Sequence, residues 1–447
     1  MRLARRSLLP LGLAAFAATR PARAETLVAL EGAEVFDGER RIGRATILVA
    51  DDVIRAIGPA ASVTVPAGAR RVDLAGRVVV PGLISAHSHV GNSGGAETGG
   101  RFYTRENVLD QLRQFAAYGV TTVTALGLGP AAFFDIREEV RRGGTGGADL
   151  LGAGMGVGVP DGTPPAAPMN LNDSQVARPN TPEEAREAIR MMARRRVDIV
   201  KLWVDDLGGT VPMMRPEIIV AATEEAHAQG LRVAAHIHDL EQARIVVQSG
   251  VDVVAHGVRD MPVDAALIAA MRQRGTWYIP TIQINEANYL YADRPELLSD
   301  PFFARALNAG LRAQFGDPEW RRKALEAAAS SRQEVAVNQR NLKALHAAGV
   351  RIGFGTDSGA TANRIPGFAE HRELELMVEA GLTPEEAMRC ATGGSAALLG
   401  LEDRGLLRPG RRADLLVLDA DPLADIRNVH RVRAVWQRGR EVSGAIG

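Results

Sequence analysis

Between residues 78 and 357 the chain alternates short apolar runs with stretches whose apolar positions recur every three to four residues. Short apolar runs bounded by turn residues predict buried strands, and the three-to-four spacing predicts amphipathic helices. Eight strands are expected: Val78–His89, Val120–Leu126, Leu150–Gly156, Ile199–Val204, Val233–His238, Val251–His256, Trp277–Ile282 and Ile352–Asp357. Helical spacing fills most of the intervals, including Glu106–Tyr118, Pro216–Ala228, Leu240–Val247 and Asp264–Arg274. Thr181 and Thr383 each open a Thr-Pro-Glu-Glu run. That run predicts a capping threonine, a proline in the first turn and a glutamate closing a capping box.

Eight strand–helix units predict an α/β fold, a closed (β/α)8 TIM barrel over residues 81–403. The flanks have a different texture, with brief alternating runs at Leu27–Leu30, Ala45–Val49, Val53–Ile57 and Val72–Leu74. Similar runs return at Gly405–Leu407, Asp414–Leu418 and Val432–Trp436. Neither end can bury a sheet face alone, so residues 25–80 and 404–447 are expected to join in one small β-sandwich. Two connections, 157–180 and 283–319, are long enough to be expected as lids or pocket walls. No Gly-x-Gly-x-x-Gly or P-loop follows a strand, which argues against nucleotide binding.

Charge and cysteine content narrow the chemistry. The 53 basic and 53 acidic residues balance, and no basic stripe stands out, which argues against a nucleic-acid partner. Only three of the basic residues are lysines, at 201, 323 and 343, so a lysine inside an apolar strand needs a reason. Cys390 is the single cysteine, which excludes an internal disulfide and a thiolate-rich metal site. A metal would therefore rest on histidine and carboxylate ligands. Residues 1–24 read as an export signal of the twin-arginine type, with Arg5-Arg6 ahead of an apolar run and Ala22-Arg23-Ala24 at the cleavage site. The run is too short to span a bilayer, so a periplasmic or secreted protein without a stable membrane anchor is expected after cleavage near Ala24.

Catalytic groups of such a barrel belong at the C-terminal strand ends. His87 and His89 end strand one, and residues two apart on a strand share a face, so both imidazoles can reach one ion. Lys201 ends strand four, where an ammonium beside cations is unfavourable; reaction with carbon dioxide would turn it into an anionic carbamate able to bridge two metals. His236 and His256 add nitrogens from strands five and six, and Asp357 adds a carboxylate from strand eight. Each has an ordinary structural alternative, a core histidine, a turn aspartate or a lysine paired with Asp205 or Asp206, but the six do not share one.

The order His-x-His, Lys, His, His, Asp on these strands resembles the amidohydrolase superfamily in its two-metal branch. So do the stretches Val80-Pro81-Gly82-Leu83-Ile84-Ser85-Ala86-His87-Ser88-His89, Gly119–Val123 and Gly405–Leu415. Within it the chain looks most like the imidazolonepropionase-related amidohydrolases, a group that includes Xaa-Pro dipeptidases and ochratoxin-type amidases. The resemblance implies two divalent ions, zinc first among them, with His87, His89 and Asp357 on one, His236 and His256 on the other, and carboxylated Lys201 between them. It further implies cleavage of a carbon–nitrogen bond in a small-molecule substrate by a metal-bridging hydroxide, with Asp357 shuttling the proton. A homo-oligomer is expected.

Related peptidases carry a histidine or tyrosine after strand three to polarise the scissile carbonyl, and residues 128–180 contain neither. That role falls to His238 or Tyr278. Arg259 follows strand six and is a candidate for a substrate carboxylate, with an internal pair to Asp260 or another rim acid as an equal alternative. Trp203 shares the strand face of Lys201 and is expected to line the pocket, with packing as the equal alternative. Three other readings use the same scaffold: a lactonase or phosphotriesterase on the same ligands, a one-metal deaminase, and a barrel that only binds. The deaminase lacks its glutamate, since His236 is followed by Ile237-His238-Asp239-Leu240-Glu241 with no well-placed acid for that role.

Overall fold

A computed structural model of the protein describes residues 25–443; the expected export signal lies outside the described residues. Strands β1 (Leu27–Phe36), β2 (Arg41–Ala50), β3 (Val53–Gly58), β4 (Arg70–Asp73) and β5 (Val78–Pro81) come first. Next are β6 (Leu83–Ser88) and a two-residue hairpin of β7 (Ser93–Gly94) and β8 (Glu97–Thr98). The central strands are β9 (Val120–Ala125), β10 (Asp149–Gly152), β11 (Val200–Trp203), β12 (Val233–His236), β13 (Val253–Ala255), β14 (Trp277–Ile279) and β15 (Arg351–Ile352). The chain ends in β16 (Leu415–Leu418), β17 (Val432–Gln437) and β18 (Arg440–Ser443).

The two ends do fold together, but hydrogen bonding makes them one sheet of eight strands instead of two stacked sheets. Its order is β18-β17-β16-β5-β1-β2-β3, with β4 also on β1. Val53 bridges Arg412, and Ile54 N–H donates to Arg411 O at 2.8 Å, so the sheet curls until its outer strand meets the chain entering β16. Leu30, Val35, Ile47, Val79, Leu415 and Trp436 fill the space it encloses. The expected first barrel strand, Val78–His89, is two elements. Pro81-Gly82 separates β5, which pairs with β16 and β1, from β6, which pairs with β9.

The central strands are all parallel, in sheets ordered β10-β9-β6 and β11-β12-β13-β14-β15. Backbone hydrogen bonds cross both gaps. Ala86 N–H donates to Phe354 O at 2.8 Å and Thr356 N–H to His87 O at 2.9 Å. Asp198 N–H donates to Gly152 O at 3.0 Å and Val157 N–H to Lys201 O at 2.8 Å. Buried Asp149 on β10 accepts from Arg404 at 2.6 Å and Arg412 at 2.5 Å, tying the strands to the terminal sheet.

Helices occupy the predicted intervals because their caps and apolar stripes agree with the register. Pro216–Ala228 matches its expected bounds, and Asp264 caps Ala265–Arg274 through Leu267 N–H. Thr383 forms the expected capping box with Glu386, whereas at Thr181 the box stays half-made. Glu184 N–H reaches Thr181 Oγ1, but the Glu184 carboxylate accepts instead from Asn180 N–H at 2.7 Å.

Segment 283–319 is no loose lid. It contains short helices at Gln283–Glu286, Leu290–Asp293, Pro301–Ala304 and Ala309–Gly316. These pack around their own aromatic core, in which Tyr291 stacks on Phe315 and Phe303 at ring separations of 4.3 and 5.2 Å. Segment 157–180 is irregular and lies against β11, where Val176 covers Trp203. Among the described residues no helix is long and apolar enough to cross a membrane.

Candidate metal centre

The ends of β6, β11, β12 and β13, with the segment after β15, bring His87, His89, Lys201, His236, His256 and Asp357 to one end of the central strands. The His87 and His256 rings lie 4.5 Å apart, His236 and His256 4.4 Å, and His87 and His89 5.8 Å. Ligand atoms of His87, His256 and Asp357 all fall within 4.8 Å of one another. Asp357 Oδ1 sits 3.0 Å from Nε2 of both His87 and His89. Neither ring nitrogen of buried His87 has a hydrogen-bond partner. Buried polar atoms are rarely left so. Ligand atoms that converge this closely, with no well-oriented hydrogen bond to the His87 ring, suit a cation between them.

Each remaining histidine is held through one nitrogen, leaving the lone pair of the other free for a metal ion. His89 Nδ1 donates to Gly127 O at 3.2 Å. His256 Nδ1 meets Thr281 Oγ1 at 3.0 Å. His236 Nε2 donates to Asp205 Oδ2 at 3.2 Å, so Nδ1 is its free nitrogen. Three residues of this arrangement have positive φ without being glycine: His256 at 142°, Thr281 at 45° and Asp357 at 58°. Backbone strain of this kind concentrates at functional sites.

Burial sets the electrostatics. It pushes the His87 imidazole down to about 3, with Lys201 adding to the shift, and His236 down to about 4 against the pull of Asp205. Burial would raise the Asp205 carboxyl, but the His236 hydrogen bond and charge hold it well below the usual carboxylate range. Asp357 is likewise buried yet held low, by Arg364, His89 and His87.

Lys201 is fully buried, and its Nζ has no hydrogen-bond partner. Burial brings its ammonium down to about 7. The alternative pairs are not made, since Asp205 is occupied by His236 and Asp206 accepts from Gln242 at 3.3 Å. The ammonium lies 5.6 Å from the Trp203 ring centroid. Trp203 is itself buried against Gly127, Gly156 and Val176, so it forms a wall beside the lysine.

Arg259 is buried, and its Nε has no partner. Asp260, its expected alternative partner, accepts from Leu240 N–H at 3.0 Å. His238 lies 3.7 Å from Glu334 on the helix Ala328–Ala347. Tyr278 departs from expectation. It is fully buried, and its hydroxyl accepts from Val258 N–H at 2.9 Å and donates to Asn338 at 3.4 Å. Its polar end is spent on positioning the turn before Arg259, which leaves none for a substrate carbonyl.

Residues 78–442 match the amidohydrolase family. The chain belongs to the amidohydrolase family. It is an enzyme, a hydrolase, in a superfamily that generally uses divalent metal ions. This amidohydrolase is 25% identical to ochratoxinase of Aspergillus niger over 91% of its own length and 84% of that protein's. A Bifidobacterium longum structure described as a candidate prolidase is 28% identical, with a TM-score of 0.73 and 93% and 94% of the two chains covered. A Xaa-Pro dipeptidase with methionine bound in its active site gives a TM-score of 0.74 at 23% identity, covering 94% of this chain and all of that one. These likenesses agree with a TIM-barrel-like α/β fold and with hydrolysis of amide or peptide type.

Sequence reasoning missed the groups that hold the ligands. Asp205 and Thr281 stand at or just beyond strand ends, and that position was the available signal. Arg364 contacts Asp357 Oδ2, and Glu334 faces His238; neither contact leaves a mark in strand periodicity.

Proposed function

We propose that this amidohydrolase cleaves an amide-type carbon–nitrogen bond in a small molecule bearing a carboxylate. The observation that carries the reading is the convergence of His87, His256 and Asp357 ligand atoms beside a buried lysine with no hydrogen-bond partner. Hydrogen bonds across both gaps between the central sheets support a closed (β/α)8 barrel as the scaffold.

His87, His89 and Asp357 would hold one divalent ion, and His236 and His256 a second. Lys201, carboxylated by carbon dioxide, would supply the shared anion. Its lowered pKa keeps a neutral amine available for that reaction near pH 7. Divalent ions held by these residues, zinc first among them, would supply Lewis acidity toward a carbonyl oxygen and toward water. Asp357 takes the proton of the attacking water on its carboxylate and passes it to the leaving nitrogen. His238, which faces Glu334 at 3.7 Å, would polarise the substrate carbonyl. Arg259 holds the substrate carboxylate through paired N–H donors. The relatives that act on ochratoxin-type and Xaa-Pro substrates support a carboxylate-bearing amide. The Arg5-Arg6 leader supports work outside the cytoplasm.

The test is metal content by elemental analysis in bicarbonate buffer, together with a panel of N-acyl amino acids, dipeptides, lactones and aryl phosphotriesters. About two metals per chain, fewer in Lys201→Ala, and amide turnover abolished in a folded Asp357→Asn variant are expected. One metal or none in the wild type, or substantial turnover by Asp357→Asn, would overturn the reading. Turnover of lactones or phosphotriesters alone would replace the substrate class.

A further inference from the structure

Directly behind the metal ligands lies a fully buried carboxylate. Glu370, on the helix Phe368–Glu379, has its Oε1 2.6 Å from Thr356 Oγ1 and 2.7 Å from Ser358 Oγ. Ser85 Oγ and Ser88 Oγ approach the same oxygen at 3.3 and 3.4 Å, and these two hydroxyls lie 2.8 Å from each other. The other oxygen, Oε2, accepts from Gly367 N–H at 2.8 Å and so caps Glu370's own helix. Four hydroxyls from two strand ends thus turn toward one oxygen.

Their positions in sequence give this convergence its meaning. Ser88 stands between His87 and His89. Thr356 and Ser358 flank Asp357, whose φ of 58° is costly for a residue with a side chain. Thr356 Oγ1 donates to Glu370 while accepting from Ser358 N–H at 3.1 Å, which closes the turn around Asp357. Backbone bonds complete the tie: Thr356 and Asp357 N–H both donate to His87 O, at 2.9 and 3.0 Å. His89 N–H donates to Ser358 O at 2.6 Å. The three side chains proposed for one ion therefore rest on two backbone segments pinned to a single carboxylate.

We infer that Glu370 is a positioning residue for the metal centre: its Oε1, gathering the hydroxyls of Ser85, Ser88, Thr356 and Ser358, fixes His87, His89 and Asp357 in their common geometry. The inference rests on the two-metal reading above. A carboxylate oxygen suits the task because it accepts from several donors at once: Thr356 and Ser358 donate to it at 2.6 and 2.7 Å, while Ser85 and Ser88, 2.8 Å apart, bond to each other and leave one proton of the pair for Oε1. Groups that orient metal ligands are worth about 10–100-fold in metal affinity.

Glu370→Gln separates this role from simple packing. The variant keeps size and shape, and its amide oxygen still caps Gly367 N–H, but an NH2 group replaces the oxygen that gathers the hydroxyls. Thr356→Val keeps the shape and removes one hydroxyl, with its bonds to Glu370 and from Ser358 N–H, and covers the case in which Glu370→Gln fails to fold. Zn2+ affinity is read by competition with a chromogenic chelator, and the melting temperature is read on metal-free protein. Glu370→Gln is expected to melt as the metal-free wild type does while binding Zn2+ about 10–100-fold more weakly. Thr356→Val should show a smaller loss, and the double variant should lose less than the two singles combined, as expected for members of one network.

Unchanged Zn2+ affinity in Glu370→Gln, or in Thr356→Val where the first variant does not fold, would overturn the inference. So would fully additive losses. A wild-type chain that binds no Zn2+ would instead sink the two-metal reading and take this inference with it.

Discussion

His236 Nε2 donates to Asp205 Oδ2 at 3.2 Å, and this bond leaves Nδ1 as the ring nitrogen free for a metal ion. Asp205 Oδ1 meanwhile accepts from Leu207 N–H at 2.8 Å, so the carboxylate also anchors the loop beyond β11. Asp205→Asn keeps an oxygen for one of these bonds and loses the charge. It is expected to weaken metal binding about 10–100-fold with little change in the melting temperature of metal-free protein. Asp205→Ala should lose the anchor as well and melt lower. Equal metal affinity in wild type and Asp205→Asn, measured by chelator competition, would show that His236 needs no such partner.

The buried imidazoles make a second prediction, about acid. In the metal-free protein burial holds His87 near about 3 and His236 near about 4, against 6.5 for an exposed histidine. Between those values and 6.5 the unfolded chain binds protons that the folded chain refuses. Stability is therefore full above pH 6.5 and falls as pH drops toward 4. At about 1.4 kcal/mol per unit of pKa difference, the loss over the two groups is about 4 kcal/mol by pH 5.0 and grows further below it. Denaturant titrations of metal-free protein at pH 7.5 and 5.0 check this, and equal midpoints would refute it.

The six candidate ligand positions were legible because the apolar runs that predict strands end at or near them, although Lys201 lies within β11 and Asp357 in the segment that follows β15. The groups behind them were not. Glu370 meets Ser85 across 285 residues of sequence, and Arg364 meets Asp357 through a loop whose course no local pattern encodes. The split between β5 and β6 was marked by Pro81-Gly82, a turn signal inside what reads as one apolar run. The aromatics of 283–319 suggested a pocket wall, yet stacked rings serve an independent small core equally well. Composition cannot tell Tyr291 packing on Phe315 from a ring waiting for substrate.

Close packing around Lys201 supplies a third test. A Cβ on Gly156, whose φ is +76°, would stand 2.4 Å from the Trp203 ring and 3.4 Å from Lys201 Cβ. Gly156→Ala should therefore cost about 1–3 kcal/mol from overpacking, in addition to backbone strain. It should also lower metal content by displacing the lysine. Gly208→Ala is the control, since its φ of +68° brings the same strain with nothing within 4 Å. If both variants lose equal stability and keep their metal, the Trp203 wall does not constrain Lys201.

Arg259 poses the sharpest question of specificity. Its guanidinium is buried, Nε has no partner, and Gly257 O accepts only weakly from Nη1 at 3.5 Å. Burial lowers its pKa, and the acids that oppose this, Glu334, Asp205 and Asp357, act as nearby charges without forming a salt bridge to it. A buried cation left in this state is costly to the fold. A substrate carboxylate would satisfy it. Arg259→Met keeps the apolar stem and removes the charge. For amides bearing a free carboxylate, KM should rise about 10–100-fold, the worth of a charge-assisted hydrogen bond. Neutral carboxamide analogues should be turned over with unchanged KM, and kcat should move little for either class. A KM that rises equally for charged and neutral substrates would assign Arg259 to the packing of the 257–259 turn, and a fall in kcat alone would assign it to the chemical step.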